Sequence, residues 1–440
     1  MTKHVKKIFF YILFLLLIQP IMYAHDHNHI ELLSACCPPQ RSVHKQKKMS
    51  VLSIFTSHWM GGAEMCALAI HKLLHQASYN AYMLVYKDSP LQKYIQELYL
   101  PHYTTNVFLQ KNKNDWEQSI KQQIRIICCT RKIKLVQCHT PAMAQLVRAA
   151  TQGLRLKIVL MYHGIDAIDF SKFEKLDGVI TVNPSNEPLI RQANNQLKLG
   201  IKKITQIYPF FNEERFLKFK PKKLTRQDFF KQYDFDVSEH DAPVISMVAN
   251  FYGKLKNPLG DYASRKNQEL LIRALHVLIN ECGKKAYVVF LGDGPDRASC
   301  AQLSKDLGID QFICFAGFCK EVEAFLYYTD IHVLTSALEP LGIVYLEAGL
   351  MKKPSLGACG TGADYTIVDG VTGFIFKNND LKDVVDKLEI LIDNSALRIK
   401  MGHNAFAFVT GRDSFNLKKR AFLATNKFQK LEAFYKQLCF

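Results

Sequence analysis

The sequence predicts an α/β fold of two Rossmann-like domains facing each other across a cleft. Three observations carry that expectation. From Met49 onward, short apolar runs alternate with amphipathic helical patterns, the signature of βα units around a mostly parallel sheet. A charged stretch interrupts the rhythm once, and a second series then begins. At 440 residues the chain has room for about two to four domains.

In the first series, SVLSIF (50–55) reads as a buried strand bounded by polar residues. GGAEMCALAIHKLLHQ (61–76) follows, with Ala63, Cys66, Ala67, Ile70 and Leu74 on one helical face. Further strands are predicted at AYMLVY (81–86), LVQCHT (135–140), KIVLMYH (157–163), GVITV (178–182) and ITQIY (204–208). The segment 212–242 is charged, holds Pro221, is closed by Pro243 and lacks a clear strand, so it reads as a connection. Strands resume at PVISMVANF (243–251), AYVVFLG (286–292), FICFAGF (312–318), IHVLTS (331–336), PSLGA (354–358) and GFIF (373–376). Among the helices between them, NQELLIRALHVLIN (267–280) has an unbroken apolar stripe. The expected organisation is a leader and polar linker over 1–48, a first domain over 49–215, a connection over 216–242, a second domain over 243–416, and a packed terminal helix over 417–440. In open sheets of this kind, ligands sit beyond the carboxyl ends of the strands.

Composition narrows the function. Lys and Arg total 57 against 40 Asp and Glu, a formal charge of +17, which favours anionic partners. The basic residues are scattered, without zinc-finger spacing or an RNP-like aromatic string, so nucleic acid is not an expected partner. The 12 cysteines show no C-x-x-C spacing, so neither a metal centre nor a disulfide framework is expected, and a reducing compartment fits best. The leader points elsewhere. Lys3, Lys6 and Lys7 precede the apolar run IFFYILFLLLI (8–18), a pattern shared by signal peptides and short anchors. Synthesis starting at Met49 is a third reading. The HDHNH run (25–29) reads as a solvated linker rather than a metal site. The reading that reconciles these signals is a membrane-associated protein whose main domains are cytoplasmic.

The stretch SALEPLGIVYLEAGLMKKP (336–354) sets Glu339 and Glu347 in an otherwise apolar run. A glycosidase pair needs carboxylates about 5–9.5 Å apart, whereas eight helical positions rise ~12 Å and turn ~80° off one face. Spacing therefore rules out that pairing. A strand end at Ser336, Pro340 in a first helical turn and Lys352-Lys353-Pro354 at the close predict a helix aimed into the cleft. Its free N–H groups, from Leu341, Gly342, Ile343 and Val344, would attract phosphate. Glu339 would meet whatever the phosphate carries, and Glu347, two turns on, a diol such as ribose. The site suited to these features is one for a nucleotide sugar.

At this point a resemblance emerges. The E-x7-E spacing around LGIVYLEA resembles the donor motif of GT-B glycosyltransferases of family 4 (glycosyl transferases group 1), a retaining, metal-independent group. Other stretches agree in order: HWMGGAE (58–64), YHG (162–164), IYPFFNEERF (207–216), RKNQELLIRAL (265–275), VVFLGDGPD (288–296), FAGF (315–318) and DGVTGFIF (369–376). The resemblance covers about residues 50–425. It implies that Lys266 neutralises the departing diphosphate, with Arg265, Lys254 or Lys256 as companion. It implies that Gly62 admits the donor, that His163 contacts the transferred sugar, that Glu347 holds the ribose, and that Phe318 lies on the nucleotide side. Glu339 joins Lys266 and His163 as a catalytic candidate, and His139 is a candidate acceptor or donor contact. Tyr365 departs from the family, where a glutamate is common. The implied partners are a nucleotide-diphosphate sugar, a glycan or glycolipid acceptor and an anionic membrane surface; no metal and no cofactor are expected. A nucleotide-sugar epimerase and a non-catalytic nucleotide-sugar- or lipid-binding protein are the alternatives. GDGP (292–295) lacks the third glycine of a dinucleotide fingerprint, because Arg297 stands there.

Overall fold

The structure is a computed structural model that describes residues 49–55, 60–106, 113–164, 169–237, 242–252, 254–256, 262–264, 266–412, 422 and 424–439. The leader, Arg265 and the side chains of Lys254 and Lys256 lie outside the described residues.

Two parallel sheets form, as the alternation predicts. The first has seven strands in the order β3-β2-β1-β4-β5-β6-β7. These are β1 (Ser50–Phe55), β2 (Asn80–Tyr86), β3 (His102–Thr105), β4 (Leu135–Cys138), β5 (Lys157–Tyr162), β6 (Gly178–Thr181) and β7 (Lys203–Gln206). The second has six strands in the order β12-β11-β8-β13-β14-β15. Its members are β8 (Val244–Val248), β11 (Tyr287–Leu291), β12 (Ile313–Gly317), β13 (Ile331–Leu334), β14 (Ser355–Ala358) and β15 (Gly373–Phe376). Between β8 and β11 lies a two-stranded antiparallel hairpin, β9 (Lys254–Lys256) with β10 (Tyr262–Ser264). Helices cover both faces of each sheet, so β1 and β11 are buried at every residue. That double burial is why these strands read as continuous apolar runs rather than alternating ones.

Two elements went unread in the sequence. β3 (HYTT) is short, half-exposed and at a sheet edge, so it carries no apolar run. The hairpin β9–β10 sits in the polar loop 251–265, where only backbone pairing defines it. The connecting stretch carries two short helices, Glu213–Leu217 and Arg226–Lys231. Phe229, Phe230, Phe235 and Val237, in and just beyond the second of these, pack with Val244, Val289 and Phe325 in the second domain's core.

The strand order reverses at β1/β4 in one sheet and at β8/β13 in the other, and the loops beyond those strands face one another across the cleft. Hydrogen bonds bridge the cleft from the loop beyond β8 to that beyond β1 and from the loop beyond β6 to that beyond β13. Asn250 Nδ2 donates to Met60 O at 2.8 Å, and Asn183 Nδ2 to Pro340 O at 2.6 Å. Lys320 Nζ pairs with Glu97 at 2.8 Å nearer the rim.

The terminal helix Ala424–Cys439 returns to the first domain. Leu431, Phe434 and Tyr435 are buried there with Val51, Ile70, Leu135 and Val159. Glu432 accepts from Tyr79 at 2.9 Å, and Lys427 Nζ donates to Pro209 O at 2.8 Å. Among the described residues no helix is long and apolar enough to cross a membrane.

Candidate functional site

A cavity of about 400 Å³ occupies the cleft. Its lining brings together nine of the eleven residues singled out in the sequence: Gly62, His163, Lys266, Phe318, Glu339, Gly342, Ile343, Val344 and Glu347. His139 stands behind His163 rather than in the lining, and Arg265 lies outside the described residues.

Lys266 precedes the helix Gln268–Asn280, whose cap, Asn267, adopts a left-handed backbone at φ 53°. Thr335 Oγ1, just past β13, donates to Asn267 O at 2.7 Å and ties that turn to the sheet. This places Lys266 Nζ 2.5 Å from Glu339 Oε2, with both side chains largely buried. The sequence assigned these two groups to different parts of a donor, whereas the structure pairs them. A buried lysine and a buried carboxylate each cost several kcal/mol to desolvate, about as much as their attraction returns. An anion entering the cleft therefore finds a cation already held in place.

Glu339 is itself fixed through its backbone: its carbonyl accepts from Gly362 N at 2.7 Å. That contact requires glycine, because a Cβ at 362 would lie 2.2 Å from Leu341 Cα. The helix beyond Glu339 runs Ile343–Leu350, three residues later than Pro340 predicts. Gly342, at φ 75°, is the cause: a left-handed residue ends the turn and starts the helix afresh. Leu341 therefore precedes the helix. The first-turn N–H groups lack intrahelical partners by construction, and Gly342, Ile343 and Val344 bring this end of the helix to the cavity.

Glu347 lies on the same helix in the cavity wall. Burial pushes its carboxyl up to about 7, against the opposing pull of Arg215. Arg215 has no role assigned from sequence, although it lies in the NEERF segment matched there. Arg215 enters the lining from the first helix of the connection and is held by Glu323, with Nε 2.7 Å from its Oε2. Its one sequence signal was a cation beside the interdomain turn, which says nothing about where the turn points. Gly62 opens the helix Gly62–Gln76 across the cleft, where a Cβ would meet Ile343 Cδ1 at 3.5 Å. Phe318 is 48% exposed just beyond β12, a flat apolar surface at the cavity rim.

His163 follows β5, and burial lowers it to about 4, so it is neutral near pH 7. Its Nε2 lies 2.9 Å from His139 Nδ1. His139, beyond β4, is also held well below the usual range, by burial and then by His163. Tyr365 is partly buried against an apolar cluster that includes Leu341 and Leu346. Among the described residues no group of three or more His, Cys, Asp or Glu side chains is placed to hold a metal ion.

Comparison with known proteins gives these features a context. Residues 259–408 match the family model for glycosyl transferases group 1. The chain is 23% identical over 326 residues to N-acetyl-alpha-D-glucosaminyl L-malate synthase of Bacillus anthracis, covering 72% of this chain and 80% of that relative. It is 27% identical over 174 residues to the lipopolysaccharide core biosynthesis glycosyltransferase LpsE of Rhizobium meliloti, covering 40% of this chain and 46% of LpsE. Among solved structures, Anabaena HepE in complex with UDP and glucose superposes with a TM-score of 0.70 at 18% identity, covering 89% of this chain and all of that one, 100%. The matched segment contains Lys266, Glu339, Glu347 and the helix start between the two glutamates. Residues 259–408 are thus similar to a glycosyl transferases group 1 domain, and they lie within a two-domain GT-B fold.

Proposed function

We propose that the chain transfers a hexose-type sugar, with retention and without a metal, from a nucleotide-diphosphate sugar to a glycan or lipid-linked acceptor. One observation carries the reading: a single cleft holds a buried lysine, an open helix N-terminus and two separate carboxylates. Cleavage of a glycosyl phosphate builds negative charge on the leaving diphosphate, and donors fixed beforehand at that point lower the barrier. Lys266 and the N–H groups at Ile343 and Val344 are those donors. Glu339 accepts from hydroxyls of the sugar, and Glu347 from the ribose diol. Phe318 offers its face to the base. Retention follows if the acceptor attacks from the side the diphosphate leaves, a route that needs no protein nucleophile.

The test is binding of UDP-, GDP-, ADP- and TDP-sugars to the full-length chain, with Glu347→Ala alongside. UDP-sugars come first because HepE, which shares the fold, was solved with UDP and glucose. One donor class is expected to bind selectively, and the variant to bind about 10–100-fold more weakly, the loss of a charge-assisted hydrogen bond or two. A folded protein that binds none of the four overturns the reading.

The acceptor and the location are read from charge and the leader. A formal charge of +17 and the apolar run at 8–18 support a membrane-associated enzyme with its catalytic domains in the cytoplasm and a lipid-linked acceptor. Turnover is expected to be higher on the lipid-linked acceptor than on its delipidated glycan, and the gap to narrow as salt rises. Equal rates at low salt would remove the lipid from the proposal.

A further inference from the structure

Behind the cleft, a buried chain of hydrogen bonds runs from the terminal helix to His163. Tyr435 and Gln137 are 0% exposed and His139 only 4%. The Tyr435 hydroxyl donates to Gln137 Oε1. Gln137 Nε2 lies 3.0 Å from His139 Nε2, and His139 Nδ1 lies 2.9 Å from His163 Nε2. The two imidazoles are nearly parallel, at 17°. His163 then reaches the cavity lining.

The direction of the protons along this chain follows from its buried end. Among the described residues, Gln137 is the one hydrogen-bond partner of the Tyr435 hydroxyl. A buried hydroxyl is stabilised by donating its proton and destabilised by leaving it undonated, so the Gln137 carbonyl faces Tyr435. The amide nitrogen then faces His139 and donates, which makes His139 Nε2 an acceptor. The remaining proton of neutral His139 is on Nδ1 and is donated to His163 Nε2. His163, neutral as well, must carry its own proton on Nδ1, the ring nitrogen the chain leaves free. Reversing any one link would set two donors or two acceptors face to face.

We propose that Tyr435 is a positioning residue: through Gln137 and His139 it fixes His163 as the Nδ1–H tautomer, so that the cleft presents a hydrogen-bond donor, not an acceptor, to a sugar oxygen. This rests on the reading of the cleft as a donor-sugar site. The terminal helix is held for the task elsewhere too, by Glu432 on Tyr79, Lys427 on Pro209 and Lys430 on Gln206. It thereby links the far end of the chain to the chemistry, 272 residues in sequence from His163 to Tyr435.

Tyr435→Phe keeps the ring and deletes the hydroxyl, which frees the Gln137 amide to turn over. Selective ¹⁵N labelling of histidine reads the tautomer directly, in the ligand-free full-length protein. Wild-type His163 is expected to be protonated at Nδ1, and the variant to populate the Nε2–H form as well. Steady-state kinetics on the preferred donor are expected to show kcat lowered about tenfold, the worth of one hydrogen bond, with KM changed less than about threefold. Gln137→Glu serves as a second variant should Tyr435→Phe fold poorly. Its carboxylate can only accept, so the chain is forced into the opposite sense and His163 into Nε2–H. The proposal is overturned by a wild-type His163 protonated at Nε2, or by a shift of tautomer without loss of kcat. A loss of kcat without a tautomer shift overturns it too, since that is what a structural defect alone would do. Failure of the transferase reading looks different: the wild-type protein would bind no donor sugar, whatever tautomer the ligand-free spectra show.

Discussion

Lys266→Ala is expected to lower turnover about 10²–10³-fold, the usual cost of removing one preorganised donor from a site of developing charge. The geometry explains why the loss should be so large. Lys266 is held in place by the turn at Asn267, by Thr335 and by Glu339, so no reorganisation is needed as the diphosphate departs. Removal also leaves Glu339 largely buried without its cation, which costs about 3–5 kcal/mol where a buried pair is broken. Turnover must therefore be compared on variants shown to be folded, and Lys266→Met with Glu339→Gln removes both charges together. That double variant should recover stability while turnover stays low. Near-wild-type turnover in folded Lys266→Ala would sink the assignment of Lys266.

Acidification should destabilise the protein by at least about 4 kcal/mol between pH 7 and pH 5. Burial lowers His71 and His163 to about 4 and His332 to about 3. In the unfolded chain these imidazoles take up protons near 6.5. Below that pH the unfolded state binds more protons than the native one, so their contribution is fully present above about 6.5 and is lost as the pH falls toward the native values. Each is worth about 2 kcal/mol over this interval. Glu347 works in the opposite sense. Its carboxyl is raised to about 7, so the native state takes up its proton first and regains about 2 kcal/mol on acidification. These three histidines against one carboxylate leave a net loss, and His139, held low by burial and by His163, adds to it. Urea midpoints at pH 7 and pH 5 measure it, and an unchanged midpoint would mean that these imidazoles are solvated in the native state.

The histidines also show how differently two buried rings can be used. His71 is buried in the helix Gly62–Gln76, with Nε2 3.0 Å from the carbonyl of Pro101, and does not line the cavity although the start of its helix does. His163 shares its desolvation but borders the cavity and continues a hydrogen-bond chain. Nothing in the local sequence separates them beyond a strand end followed by glycine at 162–164. Position at the carboxyl end of a strand was the signal that could be read, and it pointed to the right histidine for the cavity.

What the sequence by itself determined is local and periodic. Strands buried on both faces must be apolar throughout, so the runs at β1, β5, β8 and β11 announce two sheets. A strand end, two glutamates and a helix start fit within the nineteen letters from Ser336 to Pro354, so their chemistry could be reasoned out without coordinates. The tertiary structure decided everything that depends on partners distant in the chain. It set β3 at an edge, where four mostly half-buried polar and aromatic residues leave no apolar trace. It began the helix beyond Glu339 at Ile343, because a left-handed Gly342 and the close approach of Gly362 override the proline signal. It paired Lys266 with Glu339, brought in Arg215, and carried Tyr435 back to Gln137. Periodicity reports which face of an element is buried. Which side chain waits on the other side is settled by how the elements pack, and only the folded chain contains that information.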